Sequence, residues 1–275
     1  MGTLYVVATP IGNLEDITLR ALSVLREATL VLAEDTRHTR VLLGRHGVAA
    51  RPVSLHAHNE SARTQQVLAA LAAGQSVALV SDAGTPLVSD PGERLVARSI
   101  AAGHRVVPVP GPSALLAALI AAGLPAEAFT FVGFLPRRAG ERARRLEALR
   151  TRPETLVLFE SPRRVGALLA ELAAAFGERR ACLARELTKL HEEAARGTLA
   201  ELAARFADGV RGEVTLVVEG ARAAAEPVTE DALRERVRAL LAAGLSARDL
   251  ASQLARETGA PRRTLYALAL DESGR

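Results

Sequence analysis

The first 125 residues alternate short apolar runs with stretches of helical periodicity, a pattern typical of βα units on a parallel sheet. The apolar runs predict five strands, over Thr3–Thr9, Thr29–Ala33, Pro52–Leu55, Ser76–Val80 and Arg105–Val109. Helices are expected in the intervals, with Asp16 as the cap of the first one. A helix over Ser61–Ala73 should end at Gly74, and another should run from Pro110-Gly111-Pro112 to Ala122. The first domain should end near Pro125.

The second half predicts a mixed sheet flanked by helices. Its strands are expected over Phe129–Leu135, Thr155–Phe159, Ala181–Leu187 and Glu213–Glu219, and its helices over Glu141–Arg150, Arg163–Phe176 and Leu199–Phe206. From Thr229 the pattern indicates three short helices, broken at Gly244 and at Gly259-Ala260-Pro261. The fold class is therefore α/β, with α/β domains over 1–125 and 126–228 and a helical extension over 229–275. The extension has the spacing of a helix-turn-helix, and a helical cap on the body is the alternative.

Composition narrows the class of protein. Apolar residues make up 49% of the chain and tryptophan is absent, so the cores must be built from Ala, Leu and Val. The single Cys182 excludes an internal disulfide, and His56-x-His58 is too little to ligate a metal, so we expect none. No signal-peptide succession follows Met1 and no apolar run could span a bilayer. We therefore expect a cytoplasmic protein without a membrane partner.

Three loops after predicted strands are rich in Gly, Pro, Ser and Asp. They are Thr9–Asn13, Ser81–Gly92 and Val109–Ala114. Ligands of parallel α/β sheets sit at the carboxyl ends of the strands, and rigid Gly- and Pro-containing loops lose little entropy on binding. Together the loops predict a small-molecule pocket lined by backbone, although each alone could be a simple turn. The absence of Walker A and Gly-x-Gly-x-x-Gly motifs argues against nucleoside triphosphate and nicotinamide cofactors.

Basic residues are unevenly used. The formal net charge is only +4, yet seven arginines lie between Arg137 and Arg152. This stretch either binds phosphates or is a solvated helix face. Lys189 is the only lysine among 35 basic side chains. It either marks a site where a guanidinium will not serve or is a leftover in a polar run.

The three loops resemble those of the tetrapyrrole-methylase class of S-adenosylmethionine-dependent enzymes. Further motifs are similar to one branch, the bacterial 16S ribosomal RNA 2′-O-ribose cytidine methyltransferases. These motifs are Ala33-Glu34-Asp35-Thr36-Arg37, His58-Asn59-Glu60, Gly133-Phe134-Leu135-Pro136-Arg137, Phe159-Glu160-Ser161-Pro162-Arg163-Arg164 and Arg185-Glu186-Leu187-Thr188-Lys189. The resemblance runs from Thr3 to about Gly220, and the tail resembles the small helical extension of many members.

The resemblance implies a homodimer that binds S-adenosylmethionine between two α/β domains and acts on 16S rRNA or the small ribosomal subunit. It places two groups of residues near the cofactor: Pro10, Asp82, Ala83, Gly84, Thr85 and Ser113 from the first domain, and Gly133, Leu135, Gly212 and Glu213 from the second. Where corrin-pathway relatives carry Gly-Asp-Pro, this chain has Ser81–Pro86. That departure argues against a porphyrin substrate.

Ribose methylation needs an aligned hydroxyl and a group that takes its proton. A Lys189 made less basic by desolvation or by neighbouring cations could orient or deprotonate the hydroxyl, and Glu186, Asp35 and Glu34 could accept the proton or position the lysine. These carboxylates could instead simply pair with arginines. The arginines suited to RNA phosphates are Arg37, Arg137, Arg138, Arg144, Arg145, Arg163 and Arg164.

Two other functions stay open. One is a small-molecule tetrapyrrole methyltransferase, which the arginine stretch and the altered second loop disfavour. The other is a non-enzymatic RNA- or partner-binding module with the same fold. With few aromatic residues, base stacking is not expected to dominate RNA recognition.

Overall fold

A computed structural model of the protein describes residues 2–56, 59–221, 230–258 and 260–273. Contacts divide the chain into a body, Met1–Gly220, and a C-terminal unit, Ala221–Arg275. The boundary expected at 228 falls among residues outside the described ones, as do His58 of one quoted motif and Gly259 of the second helix break. The division of the body at Pro125 stays a prediction.

The first half of the body forms a parallel sheet in the order β3-β2-β4-β1-β5. Its strands are β1 (Thr3–Val7), β2 (Leu30–Ala33), β3 (Pro52–Ser54), β4 (Ser76–Val80) and β5 (Arg105–Val109). Its helices are α1 (Leu19–Glu27), α2 (Thr36–Arg45), α3 (Glu60–Ala72), α4 (Glu93–Ala101) and α5 (Ala114–Ala122). Residues 77–80 of β4 are all buried because helices cover both faces of a parallel sheet, and this explains its continuous apolar run.

The second half forms a mixed sheet in the order β6-β7-β10-β8-β9. Its strands are β6 (Phe129–Phe134), β7 (Thr155–Glu160), β8 (Arg180–Arg185), β9 (Glu193–Thr198) and β10 (Val214–Val218), and its helices are α6 (Ala139–Leu149), α7 (Val165–Phe176) and α8 (Leu199–Arg205). Only β6 and β7 run parallel, since β10 and β9 pair antiparallel with their neighbours. The predicted α/β fold class is confirmed.

Two local predictions are wrong and one strand was missed. Thr18, not Asp16, caps α1, because its hydroxyl accepts the Ala21 N–H, while Asp16 belongs to a 3-10 turn capped by Asn13. The strand predicted to reach Leu187 ends at Arg185, since Glu186 adopts a φ of +50° that leaves the strand conformation. The strand β9 was not predicted.

The C-terminal unit consists of α9 (Glu230–Ala242), α10 (Ala247–Thr258) and α11 (Arg262–Glu272). Its core includes Val237, Leu250 and Leu265, all fully buried. Glu272 accepts hydrogen bonds from Arg238, at 2.6 Å, and from Arg234. The three predicted helices are therefore present.

Across the described parts of the chain, no helix combines the length and hydropathy that a bilayer crossing requires.

Candidate active site

The three loops meet at the carboxyl edge of the parallel sheet and hold one another through backbone bonds. Thr9 and Gly84 exchange N–H to O bonds of 2.8 and 3.0 Å, and the Thr9 hydroxyl donates to the carbonyl of Ser81. The Thr85 hydroxyl donates to the carbonyl of Pro112 in the third loop. Gly84 has a φ of +75°, a conformation that glycine adopts without strain. The rigid assembly that the sequence predicts is therefore present.

A cleft, called here the main cleft, opens between these loops and the second sheet. It encloses about 880 Å³ of space, part of it open to solvent. Five of the residues predicted to bind a cofactor line it, namely Ala83, Gly84, Thr85, Ser113 and Glu213. Phe134, Phe159 and Leu187 add apolar surface from the second half. Small-molecule sites have this character, an apolar cavity with a few fixed polar groups.

Val88, Ser89 and Asp90 of the predicted loop Ser81–Gly92 also line the cleft, although none of them was selected as a site residue. The segment that carries them is strained, because Leu87 and Ser89 have φ values of +75° and +72° although neither is glycine. Residues held in this region cost about 1–3 kcal/mol each and concentrate at functional sites. The two Ser-Asp pairs and the single Pro-Gly pair of the loop were the available signal, but its individual lining residues could not be read from them.

A second cavity, called here the lysine pocket, adjoins the main cleft and shares Ile11, Ala83 and Glu213 with it. Pro10, Gly12, His38 and Asp82 also line it, and so does Lys189. The Lys189 ammonium donates to Glu186 Oε1 and to Glu213 Oε2, both at 2.9 Å. The Lys189 side chain is about one third exposed. The lone lysine is therefore at the cavity edge, held by two carboxylates.

The loop that carries Lys189 packs directly on the loop after β1. The Thr188 hydroxyl accepts the Asn13 N–H at 3.0 Å, across 175 residues of chain. A Cβ on Gly12 would lie only 2.6 Å from Cγ of Lys189, so a larger residue at this position would displace the lysine side chain. On the other side, a Cβ on Gly212 would lie 2.3 Å from the Glu186 carboxyl carbon. Close backbone approach at Gly12 and Gly212 thus fixes the Lys189–Glu186 pair.

The electrostatics of Lys189 differ from the prediction. Partial burial acts to lower the pKa of Lys189, but the hydrogen bonds to Glu186 and Glu213 outweigh it and the pKa is raised above 10.5. The hydrogen bond from Lys189 likewise lowers the pKa of Glu186 below 4.5, helped by the Glu213 N–H. Both groups are charged at neutral pH. The prediction that the environment makes Lys189 less basic is wrong for this structure, because its neighbours are carboxylates rather than cations.

A group of acids lies beside the lysine pocket. The Asp35 carboxylate caps α2 and accepts a 2.6 Å ion pair from Arg37, whose hydrogen bonds lower the pKa of Asp35. A lowered pKa makes a weaker base, so proton acceptance by Asp35 stays a prediction that its pairing disfavours. Burial, followed by repulsion from Asp82, raises the pKa of Glu34. Asp82 in turn accepts the Asp35 N–H at 2.7 Å.

The predicted RNA-binding arginines fall into two groups, those paired with carboxylates and those that are exposed without such a partner. Arg37 pairs with Asp35, Arg138 with Glu141, and Arg164 with the buried Glu160. The Arg137, Arg145 and Arg163 side chains are exposed, and within the described residues they make no hydrogen bond or ion pair. Arg144 is exposed, and among the residues that the structure describes its side chain bonds only to the carbonyl of Gly140. Arg142, which was not selected, forms a paired contact of 2.5 and 2.6 Å with Glu171 and has a structural role.

A third cavity, called here the arginine pocket, lies next to the main cleft and is lined by Phe134, Leu135, Arg137, Glu160, Ser161 and Arg164. Leu135, predicted to contact a cofactor, lines this pocket and not the main cleft. Gly133 lines neither cavity, although a Cβ there would come within 3.4 Å of Ser89 Oγ.

Among the described residues, no cluster of His, Cys, Asp and Glu could hold a metal ion.

Comparison with known proteins identifies the architecture. Residues 3–203 match the family model of the Tetrapyrrole (Corrin/Porphyrin) Methylases, and residues 228–273 match that of the RsmI C-terminal HTH domain. The chain is 52% identical to ribosomal RNA small subunit methyltransferase I of Mesorhizobium japonicum, over 98% of this chain and 91% of the relative. It is 46% identical to the enzyme of the same name from Escherichia coli O157:H7, over 99% and 96% of the two chains.

A solved structure supports the same fold. Uroporphyrin-III C-methyltransferase from Thermus thermophilus, crystallised with S-adenosyl homocysteine, aligns with a TM-score of 0.57 and 23% identity. The alignment covers 79% of this chain and 97% of that one. The chain therefore belongs to the tetrapyrrole methylase family, within the branch of the ribosomal RNA small subunit methyltransferases I.

Proposed function

We propose that this rRNA small-subunit methyltransferase transfers the methyl group of S-adenosylmethionine to the ribose 2′-oxygen of a cytidine in 16S rRNA. The observation that carries the proposal is the shared wall of the two cavities. Ile11, Ala83 and Glu213 line both the main cleft and the lysine pocket. A donor in the main cleft and a ribose beside Lys189 would therefore be neighbours, as alignment for transfer requires.

The main cleft fits a methyl donor of this kind. When bound, S-adenosylmethionine supplies a methyl group already activated by a sulfonium. Gly84, Thr85 and Ser113 line this cleft from the loops, and Phe159 and Leu187 offer apolar surface for an adenine. The homologous Thermus enzyme holds S-adenosyl homocysteine, which supports the same class of ligand here. We assign Ala83, Gly84, Thr85, Ser113 and Glu213, which line the main cleft, to the donor site, and Pro10 and Asp82 to its border with the lysine pocket. Donor contacts of Gly133, Leu135 and Gly212, which do not line the main cleft, stay a prediction.

The residues of the lysine pocket supply the rest of the chemistry. A charged Lys189 can donate a hydrogen bond to the ribose 2′-oxygen and stabilise the negative charge that develops as its proton leaves. Glu186 keeps the ammonium charged and oriented through its 2.9 Å bond. Glu213 is 70% exposed and touches the same ammonium, so we propose that it accepts the proton. Its exposed position leaves it free to exchange that proton with water.

RNA is proposed to lie across the exposed arginines. Arg137, Arg144, Arg145 and Arg163 are exposed and unpaired with carboxylates, so their guanidinium groups can bind phosphates in bidentate fashion. Arg37, Arg138 and Arg164 would have to exchange a carboxylate for a phosphate. Contacts of this kind position the RNA and do not specify its sequence.

We further propose that the enzyme acts as a homodimer in the cytoplasm, where its rRNA substrate is made. An exposed apolar stripe on α5 supports the dimer, since Leu116 and Ile120 lie one helical turn apart and are 49% and 82% exposed. Analytical ultracentrifugation of the wild type and of Ile120→Glu would test it. A monomeric wild type would contradict the proposal.

The reaction is tested by incubating the purified protein with small ribosomal subunits from a strain lacking the enzyme and methyl-labelled S-adenosylmethionine. Nucleosides released from the RNA are then separated by mass spectrometry. We expect 2′-O-methylcytidine as the labelled product. Label in a base, in another ribose or only in a tetrapyrrole added as a competitor would contradict the proposal.

A further inference from the structure

We propose that Phe134 is a stacking platform for a nucleobase of the RNA substrate, with Arg137 binding a phosphate beside it. This inference rests on the proposed function and assigns a base-binding position that sequence reasoning did not select. Phe134 lines both the main cleft and the arginine pocket, so it lies at the junction of the donor site and the basic surface.

A bulge in β6 determines where this ring lies. The register to β7 pairs Phe131 with Val157 and Gly133 with Leu158, which leaves Val132 as an extra residue. Without it, Phe131 and Phe134 would lie on opposite faces, since side chains alternate along a strand. With it, both rings contact Phe159, at centroid distances of 5.0 and 5.7 Å. Gly133 permits the bulge by adopting a φ of +70°.

The ring is supported on one side and open on the other. The tilted contact with Phe159 fixes it, yet Phe134 remains 59% exposed. An aromatic ring that is held but uncovered costs little conformational entropy when it binds another flat group. Bases present such a flat face whatever their identity, so stacking of this kind is independent of sequence.

The neighbours of Phe134 favour a nucleotide over an uncharged apolar ligand. Arg137 is three residues away, lines the arginine pocket with Phe134, and makes no side-chain ion pair or hydrogen bond among the described residues. Arg164 lines the same pocket, and its charge is balanced by Glu160. A base stacked on the open face of Phe134 and a phosphate bound to the exposed guanidinium of Arg137 would together account for the ring and the charge.

The test compares Phe134→Leu, Phe134→Tyr and Phe129→Leu with the wild type. Phe129 lies at the other end of β6 and is 39% exposed, so it controls for loss of an exposed ring from the same strand. We expect Phe134→Leu to weaken binding to small subunits, measured by filter binding, by about five- to 150-fold. The KM for small subunits should rise by about the same factor. Phe134→Tyr keeps the aromatic face and should stay near the wild type. Phe129→Leu should be unchanged.

S-adenosylhomocysteine affinity, measured by calorimetry, should stay within about twofold in all three variants. Unchanged subunit binding by Phe134→Leu would overturn the inference. An equal loss of S-adenosylhomocysteine affinity would also overturn it, because the ring would then belong to the donor site. Subunit binding is measured without turnover, so failure of the proposed reaction in the wild type would be seen separately.

A second measurement does not depend on the stability of Phe134→Leu. A photoreactive benzophenone side chain at position 134 should cross-link to 16S rRNA in small subunits, whereas the same group at position 129 should not. Cross-linking from 129 alone, or from neither position, would contradict the placement of RNA on this ring.

Discussion

The close approach of Gly12 to the Lys189 side chain predicts that Gly12→Ala will impair methyl transfer without unfolding the protein. Gly12 does not have a positive φ, so alanine is compatible with its backbone. Its Cβ, however, would lie 2.6 Å from Lys189 Cγ, 2.9 Å from Lys189 Cε and 2.9 Å from Thr188 Oγ1. The perturbation is therefore directed at the lysine rather than at the fold.

The size of the effect follows from these distances. Ordinary van der Waals contact begins at 3.4 Å, so the Lys189 side chain must withdraw by about 0.8 Å. A misplacement near 1 Å can cost on the order of a hundredfold in rate. The clashing carbons belong to a flexible side chain that is about one third exposed, so it can move without opening a cavity. We expect the free energy of unfolding to change by less than about 1 kcal/mol.

Single-turnover methyl transfer to small subunits gives the rate, calorimetry gives the affinity for S-adenosylhomocysteine, and urea unfolding gives the stability. Gly44→Ala is the matched control, because Gly44 lies in α2 and a Cβ there meets nothing within 4 Å. That variant should transfer at the parent rate and be more stable by about 0.5–1 kcal/mol. A folded Gly12→Ala enzyme with the parent rate would refute the assigned position of Lys189 in catalysis.

Three further outcomes are expected. Gly84→Val places a β-branched side chain at a φ of +75°, 3.3 Å from Ile11, so calorimetry should show weaker S-adenosylhomocysteine binding; unchanged affinity in a folded variant would remove this loop from the donor site. Replacing Arg137, Arg138, Arg144 and Arg145 with glutamine should make the slope of log binding constant against log salt shallower by up to about 3, with donor affinity constant; an unchanged slope would identify a solvated face. Because the folded-state pKa of Glu186 is lowered, its pair with Lys189 stabilises the protein above pH 4.5 and is lost as the pH falls through that lowered pKa. On the acid side, the difference in unfolding free energy between the wild type and Lys189→Met should therefore shrink as the pH falls below 4.5, and a difference that stays constant there would contradict the pairing.

The elements that the sequence predicted well are those with a strong apolar period. Ser76–Val80 and Arg105–Val109 match the predicted strands residue for residue. The apolar run of β4 is buried between helices, as is typical of parallel strands, whereas β5 is an edge strand that buries only Val109. The strand β9 has the sequence Glu-Ala-Ala-Arg-Gly-Thr and buries only Ala195. It lies at the sheet edge and pairs through its backbone with β8, so no side-chain pattern marks it.

The loops of the site could be predicted from the sequence, whereas the contacts that depend on long-range packing and strand register could not. Glycine and proline marked the strand-end loops, and the lone lysine marked its own position. The pKa of Lys189 is raised by Glu186, three residues away, and by Glu213, and the second partner could not be predicted because it reaches the ammonium from a loop 24 residues away. The open face of Phe134 depends on one extra residue in β6, a difference of register that composition does not encode.

The central claim is tested most directly by mapping ribose methylation along 16S rRNA from a strain lacking this protein. The strain is complemented in parallel with the wild type, with Lys189→Ala and with Gly44→Ala. We predict that one cytidine loses its 2′-O-methyl group in the deletion strain, and that the wild type and Gly44→Ala restore it while Lys189→Ala does not. A methylation pattern unchanged by the deletion would contradict the proposed reaction, and restoration by Lys189→Ala would contradict the site.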